Sequence, residues 1–186
     1  VNKKIAISMG LKTDRNNQLD YCIDTRWLKI GKELSIDFVP ISEFNFPDKE
    51  IKFILLTGGN TIGDMPRRDK YEKKIIEYVV KSKNEIGLLG VCRGCQLINE
   101  FFGGTNSKVS NHVNKKHKLI NRGIEVTCYH NFSPDKLGKN IILKDLSDDG
   151  CIEEIKHDNY RINGIMWHPE REDFKIISNH FQELIM

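Results

Sequence analysis

Two short apolar runs constrain the fold of this chain more than any other feature. They are Ile51–Leu56 (IKFILL) and Glu85–Val91 (EIGLLGV). Nearly continuous apolar segments of this length are typical of parallel strands that are covered on both faces. The chain is therefore predicted to be an α/β protein, with a mainly parallel sheet and helices on both sides of it.

Hydrophobic spacing in the rest of the first half predicts the helices and two further strands. We expect a strand at Lys3–Ser8, a polar loop at Gly10–Gln18, an amphipathic helix at about 19–34, a strand at Ile36–Ile41, and helices at Asp69–Ser82 and Gln96–Phe102. Gly103 and Gly104 end the last of these helices. The predicted order of elements is β-α-β-β-α-β-α.

The second half of the chain has shorter segments separated by turn signals. We predict strands at Gly123–His130, Asn140–Leu146, Cys151–Lys156 and Tyr160–Trp167, with hairpin turns at 147–150 and 157–159. Ser133-Pro134-Asp135 is typical of a helix start, and a final helix is expected at about 172–185. Because no repeat or linker is visible, residues 1–186 are predicted to form one domain.

Charge and cysteine content argue against several classes of protein. The net charge is +3 at pH 7 and basic patches such as Asn114-Lys115-Lys116 are short, so nucleic-acid binding is not expected. No segment has the roughly 20 apolar residues of a membrane span. The five cysteines are an odd number, which favours a reducing cytoplasm over a disulfide framework.

Cys92 and Cys95 have a C-x-x-C spacing that allows three interpretations. With His112 and His117 they approach the spacing of a zinc finger, and at a strand-to-helix junction they resemble a thioredoxin redox pair. Zinc is disfavoured because Cys92 ends a buried strand and Cys95 lies inside a helix. Redox chemistry is disfavoured because the motif follows the fourth strand and encloses Arg93-Gly94. We therefore expect neither a metal nor a cofactor.

The third interpretation treats Cys92 alone as a nucleophile. Gly90-Val91-Cys92-Arg93-Gly94 is a G-x-C-x-G sequence between a buried strand and a helix, which is the cysteine form of a nucleophile elbow. Such a turn places its central residue at the carboxyl edge of the sheet, where open α/β sheets bind ligands. The helix N-terminus favours a thiolate, and the amide of Arg93 can donate to an oxyanion.

A proton shuttle for this cysteine is available in Trp167-His168-Pro169-Glu170. In an extended segment His168 and Glu170 point to the same side, so the carboxylate can hold the imidazole in one tautomer. For this segment alone, a surface histidine beside a glutamate is the simpler explanation. The G-x-C-x-G sequence earlier in the chain favours a catalytic role for this histidine and glutamate.

These motifs resemble those of class I glutamine amidotransferases, and especially the γ-glutamyl hydrolase branch of that family. GVCRGCQLINEFFGG (90–104) is similar to the nucleophile motif, TGGN (57–60) to the oxyanion loop and GIMWHPE (164–170) to the His-Pro-Glu segment. DMPRRDKYE (64–72) is similar to the stretch that follows the oxyanion loop, and VTCYHN (126–131) to the segment that lines the glutamyl pocket. The matching blocks keep the family's order from about residue 50 to 172.

The resemblance implies a flavodoxin-like three-layer α/β/α fold, with extra antiparallel strands in the C-terminal half. It also implies cleavage of a γ-glutamyl C–N bond through a thioester. The site residues that it implies are the triad Cys92, His168 and Glu170, the backbone oxyanion donors Gly58, Gly59 and Arg93, and the substrate contacts Gln96, Tyr129, His130 and Asn131.

The resemblance leaves two classes of function open. One is a free-standing hydrolase of a small γ-glutamyl substrate, and the other is a glutaminase subunit that passes ammonia to a partner synthase. Arg93-Gly94 and the 64–72 stretch favour the hydrolase.

The leaving group of the substrate is suggested by basic residues and by the N-terminal half of the chain. Five arginines could gather near the site and would suit an anionic, phosphorylated leaving group: Arg26, Arg67, Arg68, Arg93 and Arg171. The N-terminal half is similar to capsule-pathway enzymes of this branch, which act on γ-glutamyl-CDP-amidate. Amides of the γ-glutamyl-aminobutyrate type and glutamine are the alternatives.

Overall fold

A computed structural model of the chain describes residues 2–185, and for residues 174–177 it describes the backbone only. The helices are α1 (Arg26–Leu34), α2 (Pro66–Lys81), α3 (Arg93–Phe101) and α4 (Phe174–Ile185). The strands are β1 (Lys3–Ser8), β2 (Gly10–Thr13), β3 (Leu19–Cys22), β4 (Ile36–Ile41), β5 (Phe53–Leu56), β6 (Gly87–Val91), β7 (Thr105–Lys108), β8 (Val113–Lys118), β9 (Glu125–Tyr129), β10 (Phe132–Lys136), β11 (Ile141–Leu146), β12 (Ile152–His157) and β13 (Ile162–Ile165).

Seven of the strands form one central sheet, in the order β11-β12-β13-β6-β5-β1-β4. The five strands from β13 to β4 are parallel, and they have the 2-1-3-4-5 spatial order of flavodoxin-like sheets. The strands β12 and β11 extend the sheet with antiparallel pairing. The prediction of a mainly parallel sheet with extra antiparallel strands is confirmed.

Helices cover both faces of the sheet because its central strands are apolar on both sides. In β1, Ile5 and Ile7 pack in one core with Trp27 of α1 and Phe181 of α4. Ala6, between them, faces a second core that includes Ile75 of α2 and residues of α3. Fully burying an Ile or Leu side chain contributes about 1.5–3 kcal/mol, so these two cores hold the three layers together. No helix in the described part of the chain is long and apolar enough to span a membrane.

The predicted first helix is wrong in its first part. Residues Leu19–Cys22 form β3, which pairs with β2 in a hairpin, so the loop expected at Gly10–Gln18 contains a strand. The turn is formed by Asp14, whose carboxylate accepts hydrogen bonds from the amides of Asn16 and Gln18. This local turn competes with the helical spacing of the apolar residues and delays the helix to Arg26.

The predicted helix start at Ser133-Pro134-Asp135 is also wrong. These residues lie in β10, which pairs with β7 in a separate two-stranded sheet. A proline is tolerated at such an edge, and the Ser133 hydroxyl donates to the carbonyl of Ile152 instead of capping a helix. In the final helix, Phe181 and Leu184 are buried, whereas the side chains of Phe174 and Ile177 lie outside the described residues.

Candidate active site

The predicted site residues follow neighbouring parallel strands at one edge of the sheet. Thr57 comes directly after β5, Cys92 directly after β6, and His168 three residues after β13. Since β13, β6 and β5 are adjacent and parallel, their carboxyl ends lie side by side. The chain therefore brings three separate sequence segments to the edge where α/β sheets bind ligands.

Cys92 occupies a sharp turn between β6 and α3. Its φ of 51° is positive, which is unusual for a residue with a side chain and indicates local strain. A Cβ atom on Gly90 would lie 2.4 Å from the backbone carbon of Gly94, and one on Gly94 would lie 2.6 Å from the carbonyl oxygen of Leu56. Only glycine fits at these two positions, so the G-x-C-x-G pattern follows from close backbone contacts.

His168 and Glu170 form a buried pair next to Cys92. The Nδ1 atom of His168 lies 2.7 Å from Oε1 of Glu170, and both side chains are almost fully buried. A Cβ atom on Gly58 would lie 2.8 Å from Cε1 of His168 and 3.5 Å from Cβ of Cys92, so the two side chains converge beside this glycine. The Nε2 atom of His168 has no hydrogen-bond partner among the described residues.

The segment that carries this pair is not fully extended, in contrast to the geometry expected from the sequence. Residue His168 is extended, but Pro169–Arg171 form a single turn of 3-10 helix. The turn brings the carboxylate of Glu170 back to the Nδ1 side of the imidazole.

The electrostatic surroundings of His168 favour its protonated form. Burial lowers the pKa of His168, but the neighbouring Cys92 sulfur and the Glu170 carboxylate raise it, with a net rise from 6.5 to about 10. The imidazole is therefore positively charged at neutral pH.

Backbone donors flank the cysteine on two sides. The amide of Arg93 is the first of α3, and the first amides of a helix have no partner within the helix. On the other side, Gly58 and Gly59 belong to the loop that follows β5. Gly59 has a φ of +136°, and a Cβ atom there would lie 2.7 Å from Nη1 of Arg68. A side chain at this position would have a strained backbone and would collide with Arg68, so the loop depends on a glycine here.

A buried ionic network supports this loop and the elbow from behind. The guanidinium of Arg93 pairs with both Asp69 and Glu72 of α2. Glu72 also accepts from Arg68 Nε at 3.0 Å, and Arg68 Nη2 donates to the Thr57 carbonyl at 2.8 Å. The network therefore links α2, α3 and the loop after β5, and it turns the Arg93 side chain into the core.

A cavity of about 480 Å³ opens beside His168. The β2–β3 hairpin, the 57–60 loop and the 168–171 segment form its walls, and the basic residues that line it are Lys12, Arg68 and Arg171. Asp24 and Glu170 are its acidic residues. The hairpin wall was not predicted from the sequence, because strands of four residues without regular apolar alternation give little local signal.

Of the five arginines that were expected near the site, two line the cavity. Arg68 and Arg171 line the cavity. Arg93 is buried in the ionic network, and Arg67 and Arg26 pair with Glu43 and Asp24, respectively. The prediction failed because it counted charges without their carboxylate partners.

None of the four predicted substrate contacts lines this cavity, and their side chains have different partners. Tyr129 is near the pair formed by His168 and Glu170, with its ring 5.8 Å from the His168 ring and 4.2 Å from the Arg171 guanidinium. Gln96 donates to the carbonyl of Phe132 at 2.8 Å. His130 is buried and faces Glu153, whereas Asn131 is exposed.

Comparisons with known proteins agree with the fold and with the family resemblance. The family description "Glutamine amidotransferase class-I" matches residues 12–181. A γ-glutamyl-CDP-amidate hydrolase from Campylobacter jejuni is 34% identical over 165 residues, which cover 82% of each chain. A subunit of the glutamine-hydrolysing GMP synthase of Methanococcus aeolicus is 25% identical over 156 residues, which cover 78% of each chain.

A solved structure shows the same fold at much lower sequence identity. A crystal structure of a glutamine amidotransferase from Thermotoga maritima superposes with a TM-score of 0.64 at 16% identity. The match covers 99% of this chain and 84% of that one.

Proposed function

This chain belongs to the class I glutamine amidotransferase family and is an amidohydrolase-type enzyme, and we propose that it hydrolyses γ-glutamyl-CDP-amidate to L-glutamate and cytidine diphosphoramidate. The observation that carries the hydrolytic chemistry is the convergence of Cys92, His168 and Glu170 at the elbow. The Campylobacter jejuni relative suggests the substrate. On this proposal the enzyme acts in the cytoplasm, in the synthesis of a capsule modification.

The proposed reaction proceeds in two half-reactions. The Cys92 sulfur attacks the γ-carbonyl carbon, and the amides of Arg93 and of Gly59 or Gly58 stabilise the oxyanion. His168 then protonates the leaving nitrogen, which breaks the C–N bond and leaves a glutamyl thioester. Water, deprotonated by His168, hydrolyses the thioester and releases glutamate with the free cysteine.

Glu170 has a positioning role in this scheme. Its hydrogen bond to Nδ1 of His168 leaves Nε2 free for proton transfer, and Nε2 has no other partner among the described side chains. The carboxylate also stabilises the imidazolium that exists before the leaving nitrogen is protonated.

The cavity beside His168 suits the leaving group of this substrate. Lys12 is exposed at its wall, and the guanidinium groups of Arg68 and Arg171 also line it, so a diphosphate would meet positive charge. Arg68 pairs with Glu72, and Nε of Arg171 lies 3.9 Å from Oε1 of Glu170, so Lys12 is the cation of this cavity that has no ion pair within the described part of the chain. The glutamyl group would then extend the other way, toward Gln96 and the Tyr129–Asn131 segment.

Supply of ammonia to a partner synthase is the second candidate function. The observation that favours it is the similarity to the GMP synthase component from Methanococcus aeolicus. A glutaminase of this kind would release little glutamate from glutamine without its synthase, whereas a free-standing hydrolase needs no partner. Hydrolysis of γ-glutamyl-aminobutyrate-type amides is the third candidate.

A glutamate-release assay on the isolated chain separates these candidates. The substrates are γ-glutamyl-CDP-amidate, γ-glutamyl-aminobutyrate and glutamine. We expect kcat/KM to be highest for the nucleotide substrate by at least about tenfold, which corresponds to about 1.4 kcal/mol of extra transition-state binding. A preference for γ-glutamyl-aminobutyrate would replace the proposed substrate, and no glutamate from any of the three would reject the hydrolase.

A charge substitution in the cavity tests the placement of the leaving group. Lys12→Gln should raise KM for the nucleotide substrate and leave KM for glutamine unchanged, because glutamine has no phosphate to contact the lysine. Lys74→Gln is the matched control, since Lys74 is exposed on α2 and does not line the cavity. An equal effect of both substitutions would place the diphosphate elsewhere.

A further inference from the structure

Four potential metal ligands converge in the core, outside the catalytic pair. His112 precedes β8, Cys128 lies on β9, His130 follows that strand, and Glu153 lies on β12. All four are buried, and one ligand atom from each lies within 4.8 Å of the others. We call these residues the inner cluster. Neither Cys92 nor Cys95 belongs to a convergent group of this kind among the described residues.

The distances from Glu153 to the other three members of the inner cluster are those between ligands of one small cation. From Oε1 of Glu153, the Nδ1 atom of His112 is 3.3 Å away, Nε2 of His130 is 3.2 Å away and Sγ of Cys128 is 3.5 Å away. Ligands on a tetrahedral zinc ion, bound at about 2.0–2.3 Å, are separated from one another by about 3.3–3.7 Å.

Both imidazoles are oriented by a second partner on their outer side. Nε2 of His112 lies 2.9 Å from Oδ2 of Asp149, and Nδ1 of His130 lies 3.1 Å from the carbonyl oxygen of Phe132. A carbonyl or carboxylate oxygen accepts, so the protons of the neutral rings are on these outer nitrogens. Histidines that bind metals are held in this way by carboxylates or backbone carbonyls.

If both rings are neutral, their inner nitrogens present lone pairs to the carboxylate of Glu153, as ligands of a cation do. A lone pair 3.2–3.3 Å from a carboxylate oxygen is repulsive unless a proton or a metal ion lies between them. Nδ1 of His112 and Oε2 of Glu153 have no hydrogen-bond partner in the part of the chain that the structure describes. The close approach of Nδ1 of His112 to Glu153 without hydrogen-bond geometry is expected where ligand atoms aim at a common centre.

We propose that the inner cluster binds one Zn²⁺ ion in a closed, structural site. Its ligands are Nδ1 of His112, Sγ of Cys128, Nε2 of His130 and a carboxylate oxygen of Glu153. Binding releases the Cys128 proton, so the thiolate and the carboxylate together balance the two charges of the ion. The residue types of this site, two imidazoles, one thiolate and one carboxylate, suit zinc better than the all-oxygen sites of Mg²⁺ or Ca²⁺.

The metal would join the β8–β9 hairpin to the central sheet. Cys128 and His130 flank Tyr129, whose ring contacts His168 and Arg171. The site therefore positions this tyrosine beside the catalytic histidine without itself taking part in the reaction.

Metal content of the purified chain tests the site independently of any substrate. The chain is stripped with a chelator, reloaded with ZnCl₂, desalted and analysed by mass spectrometry. We expect one zinc ion per chain. Less than about a tenth of an ion per chain after reloading would reject the site, whatever the glutamate-release assay shows. The alternative, an inner cluster held by protonated histidines, predicts this negative result.

Cobalt substitution tests the ligands. Co²⁺ should bind with a thiolate-to-cobalt absorption band in the near ultraviolet, which should disappear in Cys128→Ser. Cys151→Ser is the matched control, since Cys151 lies nearby outside the inner cluster and its substitution should preserve the band. A band that persists in Cys128→Ser, or that is lost in Cys151→Ser, would contradict the assigned thiolate. Glu153→Gln should weaken Zn²⁺ binding by at least about tenfold if folding is retained.

Discussion

The two cysteines of the C-x-x-C spacing are separated by the structure. Cys92 lies on the strained elbow beside His168, whereas Cys95 is fully buried in α3. A Cβ atom on Gly164 of β13 would lie 2.7 Å from the Cys95 sulfur, so this thiol packs against the sheet. Burial raises the pKa of Cys95 well above its usual range. The spacing between the two cysteines therefore has no chemical meaning.

Substitution of Cys92 should abolish activity, whereas substitution of Cys95 should leave activity unchanged. Cys92→Ala should lower kcat for glutamate release by about 10³-fold or more, because the nucleophile is lost. Cys95→Ala should leave kcat unchanged and lower the free energy of unfolding by about 1–2 kcal/mol, because it creates a small cavity. If Cys95→Ala is as inactive as Cys92→Ala although it remains folded, the redox interpretation regains support.

The raised pKa of His168 predicts a pH dependence of stability. Its pKa rises from 6.5 to about 10 in the folded chain, because the effect of burial is outweighed by Cys92 and Glu170. The resulting stabilisation is fully present below pH 6.5 and is lost as the pH rises toward 10. In urea unfolding experiments the free energy of unfolding should fall across this window.

Removing the carboxylate of Glu170 should make the free energy of unfolding depend less on pH. Glu170→Gln lowers the pKa of His168 toward its ordinary value, so the free energy of unfolding should depend less on pH between 6.5 and 10. Glu50→Gln, at an exposed residue that pairs with Lys4 on the surface, controls for the general loss of one negative charge. Identical pH profiles for wild type and Glu170→Gln would show that this carboxylate does not hold the imidazolium.

Secondary-structure elements are connected at the site by the buried ionic network. Arg93 of α3 pairs with two carboxylates of α2, and Glu72 also accepts from the hydroxyl of Ser8 at the end of β1. The backbone amide of Thr57 donates to the same hydroxyl. Two helices and two strands thus meet at the back of the 57–60 loop, which holds this loop in place relative to the elbow.

Loss of the central cation of this network should be costly. Arg93→Met leaves Asp69 and Glu72 buried with fewer positive partners, and we expect the free energy of unfolding to fall by about 3–5 kcal/mol. Arg67→Met is the matched control, because Arg67 forms a solvent-exposed pair with Glu43 and its loss should have little effect. Comparable urea midpoints for the two variants would mean that the network does not stabilise the fold.

The whole chain is expected to unfold as one unit, as the single-domain prediction requires. Trp27 of α1 and Trp167 after β13 lie in the same core although they are distant in sequence. Tryptophan fluorescence and far-ultraviolet circular dichroism should therefore give coincident urea transitions. Two separated transitions would show that residues 1–186 contain more than one folding unit.

The fold and the segments that converge at the candidate site could be predicted from the sequence because they depend on local requirements. Apolar strands covered on both faces leave continuous apolar runs, as in β5 and β6. The elbow leaves two glycines around Cys92, because any side chain there would collide with backbone. The His-Pro-Glu segment is short enough for its spacing to bring an imidazole and a carboxylate together.

Other features depended on packing between segments that are distant in the sequence. The β2–β3 hairpin forms a wall of the cavity, although its sequence gives only a weak local signal for strands. Arg93 is turned inward by carboxylates on another helix. The inner cluster joins residues from a loop, a hairpin and the central sheet, and no spacing in the chain marks it. Local sequence specifies backbone shape and burial, whereas the side chains that meet in three dimensions are chosen by how those pieces pack.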